Sequence, residues 1–299
     1  MSILVLGATG LIGNRLVRTL SEDFDVFGTT RQMKFSNPKF YQLLKKDNWL
    51  INTDPKKMFE LEAKIKKLKP NVIVNCLGIT KQKTGEFDIQ ECVTVNALFP
   101  HQLSPICREL DIRLIHFSTD CVFSGQKGNY TEGDIPDPID TYGRTKVLGD
   151  LMNNQDLTIR TSFVGREISS FMNLFEWAIR NKNKKIHAYP NAIYSGLTTL
   201  TLSQIIKTII VNHPKLSGLW HISSEPVSKY ELLRNLNKEL SLEMDIQKDE
   251  SFICDRSLNS DSFRKETQIK IPNWSEMINE FIDDQSWYDT LVNSDLTRS

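Results

Sequence analysis

Tyr142 and Lys146 stand four positions apart, and Thr119 precedes Tyr142 by 23. On a helix, i and i+4 project from one face, so the phenol and the ammonium share a surface. A free phenol has a pKa of about 10 and gives up its proton reluctantly at neutral pH. A neighbouring ammonium favours the phenolate and brings the phenol closer to useful acid–base work. Thr119 closes an apolar run, where its hydroxyl can hold a carbonyl oxygen while Tyr142 delivers the proton. Hydroxyl, phenol and ammonium together are what reversible carbonyl reduction needs. Alone, a Tyr-x-x-x-Lys pair is common and is usually a surface pair, so the reading needs a second feature.

That feature is Gly7-Ala8-Thr9-Gly10-Leu11-Ile12-Gly13 at the start of the chain. Set between a strand and a helix, it is a dinucleotide cradle: the first glycine makes the tight turn, the second admits the pyrophosphate, and the third lets helix and strand pack closely. The helix N-terminus adds unpaired N–H groups and partial positive charge. Gly7, Thr9, Gly10, Leu11, Ile12 and Gly13 are therefore the expected cofactor loop. The second strand ends in Gly28-Thr29-Thr30-Arg31-Gln32, with no acid until Asp47. An acid there would favour the ribose hydroxyl of NAD. Thr30 and Arg31 instead suit a 2′-phosphate, so NADP is preferred over NAD. Arg31 could equally stack on adenine or face solvent.

Positioning these groups requires an alternation of strands and helices. Ser2–Leu6, Asp25–Thr29, residues 71–76, 113–118 and 158–161 read as strands of a parallel sheet. Leu11–Leu20, a segment opened by Asp54-Pro55 and running through Leu68, residues 89–110 with a kink at Pro100 or Pro105, and 142–152 read as helices. Beyond about residue 161 the rhythm loosens. Helices are expected over 171–180 and 202–211, a strand over 218–223, and a capped helix from Ser228-Lys-Tyr-Glu231 to Leu240. The expected architecture is α/β, a doubly wound parallel sheet of Rossmann type with a smaller C-terminal substrate domain. Residues 1–160 would bind the dinucleotide, and 161–299 would be mainly the substrate domain, with some elements returning to the sheet.

Composition excludes several classes. Lys plus Arg equals Asp plus Glu at 37 each, so no overall field favours nucleic acid or an anionic membrane. The run Arg180-Asn-Lys-Asn-Lys-Lys185 reads as a solvated helix end. No apolar stretch reaches the roughly 18 residues of a membrane span, and the N-terminus does not read as a signal peptide. Five cysteines without CxxC spacing read as reduced thiols in a cytoplasmic protein, with no metal site. The five histidines show no ligand spacing; His116 and His221 fall in strands as packed or hydrogen-bonded groups. Asp120 reads as architectural, and Trp177, Trp220, Trp274 and Trp287 as core or interface anchors.

The motifs resemble the extended short-chain dehydrogenase/reductases, and among them the dTDP-4-dehydrorhamnose reductases, over roughly residues 2–235. The marks are the glycine loop, Lys69-Pro70-Asn71-Val72-Ile73-Val74-Asn75, Val95-Asn96-Ala97, His116-Phe-Ser-Thr-Asp-Cys-Val-Phe-Ser-Gly125, Tyr130-Thr-Glu132, Pro138-Ile-Asp-Thr-Tyr142-Gly-Arg-Thr-Lys146-Val-Leu-Gly149, Arg160-Thr-Ser162 and Gly218-Leu-Trp-His-Ile222. The resemblance implies Thr119, Tyr142 and Lys146 as catalytic residues, with Lys146 also holding the nicotinamide ribose. It implies Asn75, Leu77 and Gly78 along the cofactor, and Asn96, grouped with them, supporting the site from behind. The substrate implied is a nucleotide-linked 4-keto-6-deoxy sugar, a precursor of surface polysaccharide. Cys121 stands where the family usually has Tyr, Phe163 where it has Trp, and Asn191-Ala-Ile-Tyr-Ser-Gly196-Leu-Thr198 where it has Asp-Gln…Gly-x-Pro-Thr. Cys121, Phe163 and Ser195 are therefore the candidate sugar contacts, and these departures leave the particular sugar open. A homodimer is one assembly the reading allows. Two rival functions remain: an epimerase or dehydratase that retains NAD, and a non-catalytic NADP-binding regulatory subunit like that of methionine adenosyltransferase.

Overall fold

The structure, a computed structural model, describes residues 1–32, 43–80, 88–168, 173–283 and 288. Trp287 and the first two residues of the helix expected over 171–180 lie outside the described residues.

β1 (Ser2–Leu6), β2 (Asp25–Thr29), β3 (Trp49–Leu50), β4 (Val72–Asn75), β5 (Arg113–Phe117) and β6 (Leu157–Arg160) pair with Gly218–His221 in one seven-stranded sheet. The order is Gly218–His221, β6, β5, β4, β1, β2, β3, and every pairing is parallel. The order reverses direction beside β1, so the crevice at the carboxyl ends of β1 and β4 is the topological switch point where such sheets bind ligands. The continuous apolar run of β1 is explained by cover on both faces. Ile3 and Val5 enter one core with Leu16, Val17 and Leu20 of α1 (Leu11–Leu20). Leu4 and Leu6 enter the other with Leu61 and Ile65 of α2 (Met58–Leu68).

Three helices depart from their sequence reading. Asp54 does not cap α2; its carboxylate takes the Lys56 N–H at 2.9 Å in a local turn, and the helix begins at Met58. The segment from α3 (Ile89–Val93) to α4 (Phe99–Glu109) does not break at a proline. It widens into a π-helical turn, Thr94–Leu98, just before Pro100, whose ring and missing N–H do not fit a regular turn. α5 (Thr141–Leu148) is shorter than expected and closes at Gly149, where a side chain would overlap the carbonyl oxygen of Asn96. Beyond it, Asp150 forms a buried ion pair with Arg160 at 2.7 Å.

The second half returns Gly218–His221 to the sheet, lays the helix Thr199–Asn212 against α1, and brings residues 254–256 to the carboxyl end of β5. Ser228 caps the helix Lys229–Glu239 by accepting the Glu231 N–H at 3.0 Å, as its motif predicts. Trp274 is buried and bonded to the Glu225 carbonyl, and Trp220 to that of Ser217. Trp177 is exposed and anchors no core. No described helix is long and apolar enough to cross a membrane.

Candidate active site

β1 runs into Gly7, whose φ of +78° turns the chain sharply toward α1. Its N–H donates to Thr29 Oγ1 at 3.0 Å and its carbonyl accepts the Gly10 N–H at 2.9 Å. A β-carbon on Gly13 would overlap the Gly7 carbonyl, so this glycine is what lets helix and loop close on each other. Gly10 is the N-cap of α1 and is exposed; it carries no side chain to occupy the first-turn N–H groups. Thr9 and Leu11 are half-buried at the lip, whereas the Ile12 side chain is buried in the core and can offer only its backbone.

At the end of β2, Thr30 is buried. Its hydroxyl takes the Gln32 N–H at 3.2 Å and its carbonyl the Thr53 N–H at 2.9 Å, so it shapes the turn. Arg31 is exposed beyond it, close enough to Lys56 to oppose that amine's protonation. Lys56, from the loop before α2, pairs with Glu91 at 2.7 Å. Arg31 and Lys56 thus place two cations near the end of β2.

Two buried amides build the next wall. Asn75 bonds His116 at 3.0 Å and takes the Leu77 N–H at 3.1 Å. Asn96 takes the Ile79 N–H at 2.8 Å and donates to the Ile79 carbonyl and Thr145 Oγ1, both at 3.0 Å. Both side chains are therefore committed to the protein. Asn96 joins the loop after β4 to α5. Leu77 and Gly78 are what these amides present: Leu77 lies against Gly7, and Gly78 is exposed. His116 is fully buried, and burial holds its pKa well below the usual imidazole range.

The reactive trio gathers where β5 ends. Thr119 caps a single turn of 3₁₀ helix, Asp120–Val122; its hydroxyl accepts the Cys121 N–H at 3.2 Å and donates to Asp120 Oδ1 at 3.1 Å. Asp140 starts α5 by taking the Gly143 N–H at 2.8 Å, which presents Tyr142 and Lys146 toward that turn. Tyr142 stands near the Thr119 hydroxyl. Lys146 is buried and donates to the Phe117 carbonyl at 2.6 Å. Burial lowers its pKa to about 8, opposed by Asp150. The expected lowering of the phenol by the ammonium is not found. Burial pushes the Tyr142 phenol up, the neighbouring Cys121 adds to this, and the nearby Thr119 hydroxyl works the other way.

On the sugar side, Cys121 is half-buried and Phe163 sets its ring edge-on to Phe117 with centroids 6.3 Å apart. Ser195 is displaced from the role expected of it. It is buried, its hydroxyl taking the Leu258 N–H at 2.9 Å and its carbonyl the Ser224 N–H at 2.8 Å, so it staples three loop segments together. The sequence reading missed Arg256. Its Nε donates to the Phe123 carbonyl at 2.9 Å and its Nη1 lies 3.7 Å from Cys121 Sγ. Asp120 is buried and its carboxyl is pushed up for that reason; Arg256 is the main opposing influence and Lys229 a weaker one. Arg256 belongs to no spaced motif and Lys229 only to a helix-capping one, so it is the folding of the second half over the first that brings them to Asp120.

A glycine turn at the switch point of a parallel sheet, with hydroxyl, phenol and amine gathered at a nearby strand end, defines the short-chain dehydrogenase/reductase class of Rossmann folds. Within it the chain belongs to the RmlD substrate binding domain family, whose sequence profile matches residues 1–286. It is 28% identical over 241 residues to a dTDP-4-dehydrorhamnose reductase of Aggregatibacter actinomycetemcomitans, covering 77% of this chain and 76% of that one. It is 34% identical over 170 residues to a probable low-salt glycan biosynthesis reductase, Agl14, of Haloferax volcanii, covering 55% of this chain and 54% of the relative, about half its length. A solved dTDP-4-dehydrorhamnose reductase from Bacillus anthracis in complex with NADP superposes with a TM-score of 0.78 at 20% identity, covering 95% and 99% of the two chains, and shares the fold.

Proposed function

We propose that the protein is an NADPH-dependent reductase of a nucleotide-linked 4-keto-6-deoxy sugar, serving synthesis of a surface-polysaccharide precursor. The observation that carries this reading is the 2.6 Å bond from Lys146 to the Phe117 carbonyl, which ties the helix bearing Tyr142 to the strand end bearing Thr119 in a sheet whose switch point holds the glycine cradle. The cradle fits a dinucleotide: Gly13 permits the close approach, Gly10 is open, and the first-turn N–H groups of α1 meet no capping side chain. The reductase relatives and the NADP held by a protein of the same fold support the choice of cofactor class. A reduced nicotinamide bound there supplies the hydride.

The residues do the rest. Tyr142, its pKa raised by burial, carries its proton throughout the neutral range and gives it to the keto oxygen as the carbon accepts hydride. Thr119 Oγ1, fixed by the Cys121 N–H, turns its own proton from Asp120 to that oxygen and stabilises the developing charge. Lys146 orients the nicotinamide ribose from its perch on the Phe117 carbonyl. Cys121 and Phe163 border the sugar, a smaller lining than Tyr and Trp would give.

The test is NADPH oxidation at 340 nm with dTDP-4-keto-6-deoxy sugars. One NADPH consumed per product supports the proposal. Conversion with no net cofactor change would indicate an epimerase or dehydratase, and NADPH binding without oxidation by any keto-sugar nucleotide a regulatory subunit.

A further inference from the structure

Asn14 lies on α1 one turn beyond the glycine loop and has no exposed surface. Its amide nitrogen donates to the carbonyls of Gly10 at 2.8 Å and Leu11 at 3.0 Å. The Gly10 carbonyl also receives the Asn14 main-chain N–H at 3.0 Å, so one residue clamps the whole first turn. The remaining polar atom of the side chain, Oδ1, accepts a hydrogen bond at 2.9 Å from the phenol of Tyr288, 274 residues away. Tyr288 is itself buried, and the guanidinium groups of Arg18 and Arg166 lie 5.3 and 5.8 Å from its ring centre. Arg166 is held in turn by the buried carboxylate of Glu176 at 2.8 Å.

With two donated bonds and one accepted bond, the Asn14 amide has one workable orientation. Flipped, its oxygen would face two carbonyl oxygens. The Gly10 and Leu11 carbonyls select this orientation, and the Tyr288 hydroxyl donates to the oxygen it leaves on the far side. We propose that Tyr288 is a positioning residue of the cofactor site: through Asn14 it supports the first turn of α1 in the geometry that receives a dinucleotide pyrophosphate, coupling the Tyr288 contact to cofactor occupancy. The proposal rests on the reading of the glycine loop as an NADPH cradle. Removing the phenolic oxygen leaves Asn14 Oδ1 buried without its donor, so the side chain shifts to recover a partner and its hold on the Gly10 and Leu11 carbonyls slackens. Coupling of this kind is reciprocal: whatever factor Tyr288 adds to NADPH affinity, NADPH returns to the Tyr288 contact.

The experiment uses the full chain with Tyr288→Phe, titrated with NADPH by calorimetry and compared with wild type. The expected result is a Kd raised about fivefold or more, with kcat at saturating NADPH nearly unchanged and the free protein still folded, its thermal midpoint lowered by only a few degrees. Hydrogen exchange of the peptide containing Tyr288 should slow when NADPH is added to wild type and respond less in the variant. An unchanged Kd overturns the proposal. So does a loss of affinity matched by loss of the folded state, which would make Tyr288 a stability residue only. If wild type binds neither NADPH nor NADH, the cradle reading itself fails, a result distinct from either of these.

Discussion

Lys146 Nζ sits 2.6 Å from the carbonyl oxygen of Phe117, two residues ahead of Thr119 on the same chain segment. A single main-chain acceptor therefore sets how far α5 stands from the end of β5. The amine is held by the strand that carries the hydroxyl, not by the phenol four residues before it. Desolvation in this position explains why its pKa falls from 10.5 to about 8.

A pH dependence follows from that value. Lys146 is cationic below about 8 and neutral above it. Its folded pKa lies below the unfolded one, so the cost of burying the charge is felt below about 8, and stability from this group rises between about 8 and 10.5. Catalysis has the opposite slope, since the ribose-holding amine loses its charge over the same range. Keto-sugar reduction at saturating NADPH should decline as pH passes about 8, and Lys146→Arg should carry that decline to higher pH. A wild-type rate that stays level to pH values well above this would refute the assignment.

Tyr142→Phe removes the transferable proton but keeps the ring in its place. Turnover should fall by about 10²–10⁴-fold, while NADPH affinity stays within about twofold of wild type. Thr119→Val should cost about 10²–10³-fold, because the oxygen of the substrate loses one aligned donor. Steady-state kinetics beside NADPH titration separates the two quantities. Wild-type turnover in the Tyr142 variant would transfer the role of acid to another group.

Much of this site was legible before folding because its chemistry lies in short, contiguous motifs. The Gly7–Gly13 turn and the Tyr142–Lys146 spacing each specify local geometry, and β1, α1 and β2 fall at the boundaries their apolar runs predict. What stayed hidden depends on contacts distant in sequence. Ser195 looked like a pocket hydroxyl until Leu258, 63 residues on, claimed it. Arg256 meets Cys121 across 135 residues, with no periodicity or spacing to announce it. The π turn before Pro100 was missed for another reason: a proline marks where a regular helix fails, yet leaves open whether the chain breaks or widens.

Arg31 offers a test of cofactor choice. It is exposed and has Lys56 as a neighbouring cation, so its pairing with a 2′-phosphate would be screened by salt. Arg31→Ala should raise the NADPH Kd by about tenfold at low ionic strength, equivalent to about 1.4 kcal/mol. The NADH Kd should hardly move, and the NADPH penalty should shrink as salt is added. Equal losses for both cofactors would indicate that Arg31 stacks on adenine.

Arg256 tests how the second half contributes to the sugar side. Its guanidinium bridges the Phe123 carbonyl and Cys121 Sγ and is the main influence holding down the buried Asp120 carboxyl. Asp120 in turn accepts the Thr119 hydroxyl at 3.1 Å, so a protonated Asp120 would compete for the geometry that directs Thr119. Arg256→Met keeps the length of the side chain and removes the charge, which lets the Asp120 pKa rise further. The KM for sugar nucleotide should increase about tenfold with NADPH affinity intact. The acid side of the pH–rate profile should also move toward neutrality, because the carboxyl protonates earlier as pH falls. Arg256→Lys should restore the acid limb, since the charge returns, but recover less of the KM, since an ammonium lacks the planar fork that spans both contacts. An acid limb identical in wild type and Arg256→Met would show that Asp120 takes no part in setting Thr119.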